Sequence, residues 1–266
     1  MDEGWRVIGT RRTADVRHGF PEGAASRVFD REHPLADLRT LLAGATYLLS
    51  SVPPDKVGDP VLDIHAEEIA AARGLRWIGY LSTTGVYGDR AGGWVDEDAP
   101  LQPTGERSRR RVATEARWLD LHRHHGAPVH VFRLAGIYGP GRSALDTVRS
   151  GRAQRIVKPG QVFSRIHVAD IVRVLRASMA NPNPGAVYNL CDDDPAAPAD
   201  VIAFACDLLG VLPPPPVAVE QAGLSDMALS FYADNKRVSN RRIKEELGVS
   251  LLYPSYRDGL RALLTA

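Results

Sequence analysis

Polar and charged side chains gather at a few points along this chain, and each group has its own chemistry. Arg109, Arg110 and Arg111 follow one another in a segment of helical periodicity. Guanidinium groups stay protonated and only donate, so the run either holds an anionic ligand or forms a solvated helix face. Arg165 precedes His167 and Asp170 and can pair a phosphate or a carboxylate. Asn189, Asp192 and Asp193 follow an apolar run, where they either hydrogen-bond a polar ligand or cap the next helix. Asp59 lies between Gly58 and Pro60, a good helix N-cap with proline in the first turn. Thr83 and Thr84 close another apolar run, where a hydroxyl can satisfy a strand-end backbone group. His122, His124 and His125 suit the negative end of a helix better than a metal ion. Cys191 and Cys206 have no acid–base partner nearby and read as core.

The chain has 266 residues, enough for one large domain or for one domain with a smaller lobe. Apolar residues make up 44% and charged residues 24%, as in a soluble globular protein. Lys+Arg is 33 and Asp+Glu is 32, which argues against a dedicated nucleic-acid binder. With 2 cysteines there is no disulfide framework. No apolar run is long enough to span a bilayer, and the opening Met1-Asp2-Glu3-Gly4-Trp5 does not read as a signal peptide. These readings give a cytoplasmic protein whose partner is a small molecule, with neither nucleic acid nor membrane.

Nearly continuous apolar runs at 5–10, 28–30, 46–52, 77–82 and 129–134 predict strands covered on both faces. Helices are predicted between them at 35–42, 61–73 and 107–124. The second carries Leu62, Ile69 and Ala72 on one face, and the third Val112, Ala116 and Leu119. This alternation predicts an α/β fold with a doubly wound parallel sheet. Beyond residue 139, Pro and Gly become frequent and the segments shorten. Helices are predicted at 170–180, 199–209, 239–247 and 255–264, a strand at 186–190, and a stiff break at Pro213–Pro216. The organisation expected is a sheet domain over 1–138 and a smaller C-terminal substrate lobe over 139–266, some segments of which return to the sheet. Ligands of such folds bind at the carboxyl ends of the strands.

Several segments in order carry a resemblance. They are Ser82-Thr83-Thr84-Gly85-Val86-Tyr87-Gly88-Asp89, Arg133 through Gly141, Arg165 through Ile171, Val187 through Pro195, and Ser239 through Leu260. Together they resemble the extended short-chain dehydrogenase/reductase superfamily, most of all its atypical NAD(P)-dependent epimerase/dehydratase-like members. The resemblance implies a Rossmann-type fold and a nicotinamide cofactor. Thr83, four residues before Tyr87, takes the place of the family's catalytic Ser/Thr. Asp59, 24 residues before Thr83, falls close to its active-site Asn, where a carboxylate could act as a base or order a water. Arg11 and Arg12 follow the strand that resembles the family's second, where arginine accommodates the 2′-phosphate of NADP; NADP is therefore expected over NAD. Asp30 resembles an adenine contact, and Ser50, Ser51 and Val52 resemble the turn that runs along the cofactor. Thr84, Tyr87, Arg165, His167 and Asn189 are the implied substrate contacts. A homodimer is implied through two long helices, here those starting near Asp59 and Arg107.

The chain also departs from the family. The glycine-rich strand–loop–helix that cradles the pyrophosphate is not seen, so that roughly 20 to 30 residues are expected to be missing. Either the start is assigned too late or the cradle is lost. The Tyr-x-x-x-Lys pair is absent too. With Glu115 aligned to the acid eight residues past the family's tyrosine, Arg107 and Arg111 stand where Tyr and Lys belong. Arginine is not an ordinary proton shuttle, so the expected tetrad is degenerate. Three functions follow. One is an NADP-linked oxidoreductase of epimerase/dehydratase type, acting on a small polar or sugar-nucleotide-like substrate. Another is a non-catalytic NADP-binding or regulatory protein. The third is an N-terminally truncated product unable to bind cofactor.

Overall fold

The computed structural model describes residues 4–13 and 23–265; Met1–Glu3 of the opening segment fall outside them. The N-terminal elements are β1 (Ile8–Arg11), β2 (Ala25–Val28), α1 (Leu38–Ala43), β3 (Tyr47–Ser50), α2 (Pro60–Ala71), β4 (Trp77–Thr83) and β5 (Trp94–Val95). Then come α3 (Glu106–His125), β6 (Val129–Leu134), β7 (Gly136–Tyr138), α4 (Ala144–Arg149), β8 (Arg155–Val157), β9 (Arg165–His167) and α5 (Val168–Ala180). The chain continues with β10 (Val187–Leu190), α6 (Pro198–Leu208), β11 (Pro216–Ala218), α7 (Asp226–Tyr232), β12 (Arg237–Val238), α8 (Arg241–Leu247) and α9 (Tyr256–Thr265).

Strands β3, β4, β6 and β10 lie side by side in that order in one parallel sheet. Ser50 stands opposite Tyr80, Thr83 opposite Leu134, and Leu134 opposite Leu190. Parallel register therefore brings the carboxyl ends of these strands to one edge. Strands β1 and β2 form a separate parallel pair, as do β5 with β12, β7 with β9, and β8 with β11.

The sheet is apolar on both faces because helices cover both. On one face Ile78, Tyr80, Val129 and Val131 pack with Leu62 and Ile69 of α2 and Trp118 and Leu121 of α3. On the other, Phe132, Leu134 and Leu190 pack with Ile171, Val174 and Leu175 of α5 and Ile243 and Leu247 of α8. This is the doubly wound Rossmann-type arrangement expected from the runs. Among the described residues no helix is long and apolar enough to cross a membrane.

Three expectations need correction. The second strand is Ala25–Val28, so Phe29 and Asp30 lie beyond its end. Helix α3 buries Thr114, Glu115, Trp118 and Leu121 most deeply; Val112 and Leu119 are only half-buried against the core, and Ala116 is exposed. A buried ion pair and an indole stacked on Tyr80 outweigh the weak apolar pattern there. Pro216 is the first residue of β11, so the proline break is shorter than four residues.

Candidate active site

Thr83 is the last residue of β4 and caps a short 3-10 turn, Thr84–Tyr87. Its Oγ1 accepts the Gly85 N–H at 3.1 Å, which leaves the hydroxyl proton free to donate. Thr83 and Thr84 are both half-buried, at the open edge of the sheet. The turn ends on Gly88, with φ +68°; a Cβ there would lie 1.8 Å from the Gln102 carbonyl oxygen. Only glycine allows that approach.

Beneath Thr83 is a buried polar floor. Ser82 donates to Glu115, which pairs with Arg133 at 2.8 Å, both side chains being almost inaccessible. Arg133 donates to the Tyr87 hydroxyl at 2.9 Å, and that hydroxyl donates to Asn189 Oδ1 at 2.7 Å. The Asn189 amide N–H reaches Glu97 at 2.7 Å, and its Nδ2 donates to the Ser239 carbonyl. Burial pushes the Tyr87 phenol up to about 12, so it keeps its proton at neutral pH. Tyr87 and Asn189, implied as substrate contacts, are fully buried and bonded to one another.

Asp59 is also fully buried. Its Oδ1 accepts from the N–H groups of Val61 and Leu62 at 2.8 and 3.3 Å, and its Oδ2 accepts the Trp118 indole N–H at 2.9 Å. Burial raises its pKa. Its placement is that of an N-cap tied to α3. Trp118 stacks on Tyr80, and the Tyr80 hydroxyl accepts from Arg111 at 2.8 Å. The same Arg111 nitrogen donates to the Leu81 carbonyl at 2.7 Å, so the guanidinium is held against β4. Arg107 is exposed, and Arg109 and Arg110 both bond Glu106.

Spacing gave no hint of Ser108, which lies in this first turn of α3 among the arginines. A Cβ placed on Gly85 would meet Ser108 Oγ at 3.0 Å and Thr83 Oγ1 at 3.4 Å. The two hydroxyls thus converge over one glycine. The Glu115–Arg133 pair and Glu97 were likewise missed, because nothing local marks contacts between distant segments.

Arg165 and His167 belong to a second group, around β7 and β9. Arg165 donates to the carbonyls of Phe163 and Ala196, and burial lowers its pKa. It lines a cavity of about 380 Å³ together with Tyr138, Arg142, Arg152, Asp146 and Tyr256. His167 caps α5 through Nδ1, which accepts the Ala169 N–H; its ring lies 4.2 Å from that of Tyr253. Burial lowers its pKa, so Nδ1 accepts and Nε2 carries the proton.

In the separate β1–β2 pair, Arg11 donates to Ser26 at 3.1 Å and, beyond β1, Arg12 is exposed. The Asp30 carboxylate accepts the N–H groups of Glu32 and His33 and contacts the His33 ring. Ser50 is buried at the end of β3, and its Oγ has no partner among the described residues. Ser51 is exposed and Val52 half-buried.

Residues 61–191 match the model of the NAD dependent epimerase/dehydratase family. A conserved protein from Silicibacter pomeroyi DSS, described as functionally unknown, is 54% identical in sequence. It superposes with a TM-score of 0.89 over 99% of this chain and 91% of that one. Residues 61–191 are thus similar to the NAD dependent epimerase/dehydratase family. Protein YeeZ of Escherichia coli K12 is 29% identical over 94% of this chain and 89% of its own length. A dTDP-glucose 4,6-dehydratase from Bacillus anthracis, solved with NAD, shares the fold. Its TM-score is 0.76 at 16% identity, over 99% of this chain and 88% of that one.

The span matching the epimerase/dehydratase family holds Thr83, Thr84, Tyr87, Arg107, Arg111, Arg165, His167 and Asn189. The residues expected to meet cofactor, and Asp59, precede it. Those residues fit a dinucleotide in part. Ser50 offers a buried, unpartnered hydroxyl at a strand end, and Arg11 and Arg12 offer cationic groups for a phosphate. The turn after β3 is Ser51-Val52-Pro53-Pro54, without the glycines of a pyrophosphate cradle.

Proposed function

We propose that this chain is an NADP-linked oxidoreductase of epimerase/dehydratase type. Its substrate is a small polar or sugar-nucleotide-like molecule, and its catalytic tetrad is degenerate. The reading rests chiefly on Thr83, whose hydroxyl is fixed by the Gly85 N–H with its proton free, at the carboxyl edge of the sheet. Arg11 and Arg12 would hold the 2′-phosphate, and Ser50 the part of the cofactor nearer the reacting ring. The cofactor, when bound, supplies the hydride acceptor. The substrate enters between β4 and the first turn of α3. The cavity lined by Arg142, Arg152 and Arg165 takes its anionic part. Two chains pair through α2 and α3 in the same proposal.

Isotope exchange tests the reading. With NADP present, solvent deuterium should enter a sugar nucleotide, and Thr83→Ala should lower the rate by about 100-fold, the usual contribution of a positioned proton-handling group. Exchange that is equally fast in Thr83→Ala would remove Thr83 from the site.

A second reading has one observation of its own. Arg111 is bonded to the Leu81 carbonyl and the Tyr80 hydroxyl, and a guanidinium does not release its proton. A protein that binds NADP without turning over substrate would retain such a residue. It predicts no exchange in any sugar nucleotide, with cofactor binding intact.

A further inference from the structure

We infer that Ser108 is a substrate-contacting residue, and that with Thr83 it forms a two-hydroxyl clamp on a single oxygen of the substrate. The inference rests on the reading of Thr83 given above and adds a residue to it.

The geometry is local and specific. Gly85 lies between the end of β4 and the first turn of α3. The point that its Cβ would occupy is 3.0 Å from Ser108 Oγ and 3.4 Å from Thr83 Oγ1. Both hydroxyl oxygens therefore face the same side of Gly85. Thr83 accepts the Gly85 N–H and so has its own proton to give. Ser108 is half-buried, and no hydrogen bond of its hydroxyl is made to any described residue. Two neutral hydroxyls donating to one oxygen hold a carbonyl and favour negative charge growing on it. Neither needs to give up its proton. That suits a site where Arg107 and Arg111 cannot supply one in the ordinary way. A side chain at Gly85 would press on both hydroxyls.

The test uses the full chain with NADPH present and two pairs of probes, UDP-glucose with UDP and dTDP-glucose with dTDP. Calorimetry gives the gain in affinity due to the sugar, as the ratio of Kd values within a pair. In the wild type we expect a sugar-dependent gain for at least one pair. Ser108→Ala and Thr83→Ala should each reduce that gain about five- to tenfold, the weight of one lost hydrogen bond to substrate. Gly85→Ala should abolish it while the melting temperature stays within a few degrees, because the new methyl fills the clamp. Ser108→Thr, which restores a hydroxyl, should recover most of the gain. Loss in Thr83→Ala with an unchanged gain in Ser108→Ala overturns the clamp and leaves the functional reading standing. A wild type with no sugar-dependent gain in either pair overturns the sugar-nucleotide reading, and the clamp with it.

Discussion

At Asp192, burial outweighs every neighbouring donor. The residue is 1% exposed, and its Oδ2 has no partner among the described residues. Desolvation pushes its pKa up to about 8, against the help of the Asp194 N–H and Arg165. The folded protein therefore holds a proton at neutral pH that the unfolded chain, with an ordinary carboxylate near 4, has released. Below pH 4 both states carry it and nothing is lost. As pH rises from about 4 to about 8, the unfolded state gains relative stability, and the fold is progressively weakened. Asp192→Asn removes the titration. It should stabilise the protein at pH 8 by on the order of 2 kcal/mol and have no such effect at pH 4. Urea denaturation at the two pH values measures this, and an equal effect at both would contradict it. Asp192 could be noted in the sequence as a polar residue after a strand, but its loneliness could not. Isolation is a property of packing, and the donors that fail to reach it come from distant segments. The same holds for Ser108, which only the fold brings beside Gly85, 23 residues earlier.

Elements β4, α3, β6 and β10 are joined beneath the site by one chain of buried polar contacts, from Ser82 through Glu115, Arg133 and Tyr87 to Asn189. Breaking a buried pair on one side strands a charge. Arg133→Met should cost about 3–5 kcal/mol by chemical denaturation, because Glu115 loses its cation. The double variant with Glu115→Gln should recover a good part of that, since the stranded carboxylate is gone. A mild single variant would mean that the floor does not join these elements. Gly88→Ala tests the turn above it. With φ at +68° and the Gln102 carbonyl in the way, the variant should lose about 2 kcal/mol of stability. A variant as stable as the wild type would contradict the turn. The long elements could be read from the chain: 77–82 and 129–134 are apolar runs, and each became a central strand. The pairs β5–β12 and β7–β9 have two or three residues per strand. Such runs are too short for a period of two to show, and their partners lie up to 143 residues away.

For the whole molecule, doubly covered strands were legible because both faces of the sheet demand apolar residues. The layout of helices on the two faces followed from the alternation of strand and helix. The separation of β1–β2 from the four-stranded sheet was not legible, since strand pairing depends on which edges meet. The proposed function makes its most specific commitment at the cofactor end of the site. It assigns Arg11 and Arg12 to a phosphate that NADP carries and NAD does not, and gives Ser50 a partner in the same ligand. The measurement that bears on this most directly is titration of the chain with NADPH and with NADH, followed by nicotinamide fluorescence. The account predicts saturable NADPH binding, NADH binding weaker by at least about tenfold, and loss of that preference in the double variant Arg11→Ala, Arg12→Ala. Equal affinity for the two cofactors, or binding of neither, would contradict it.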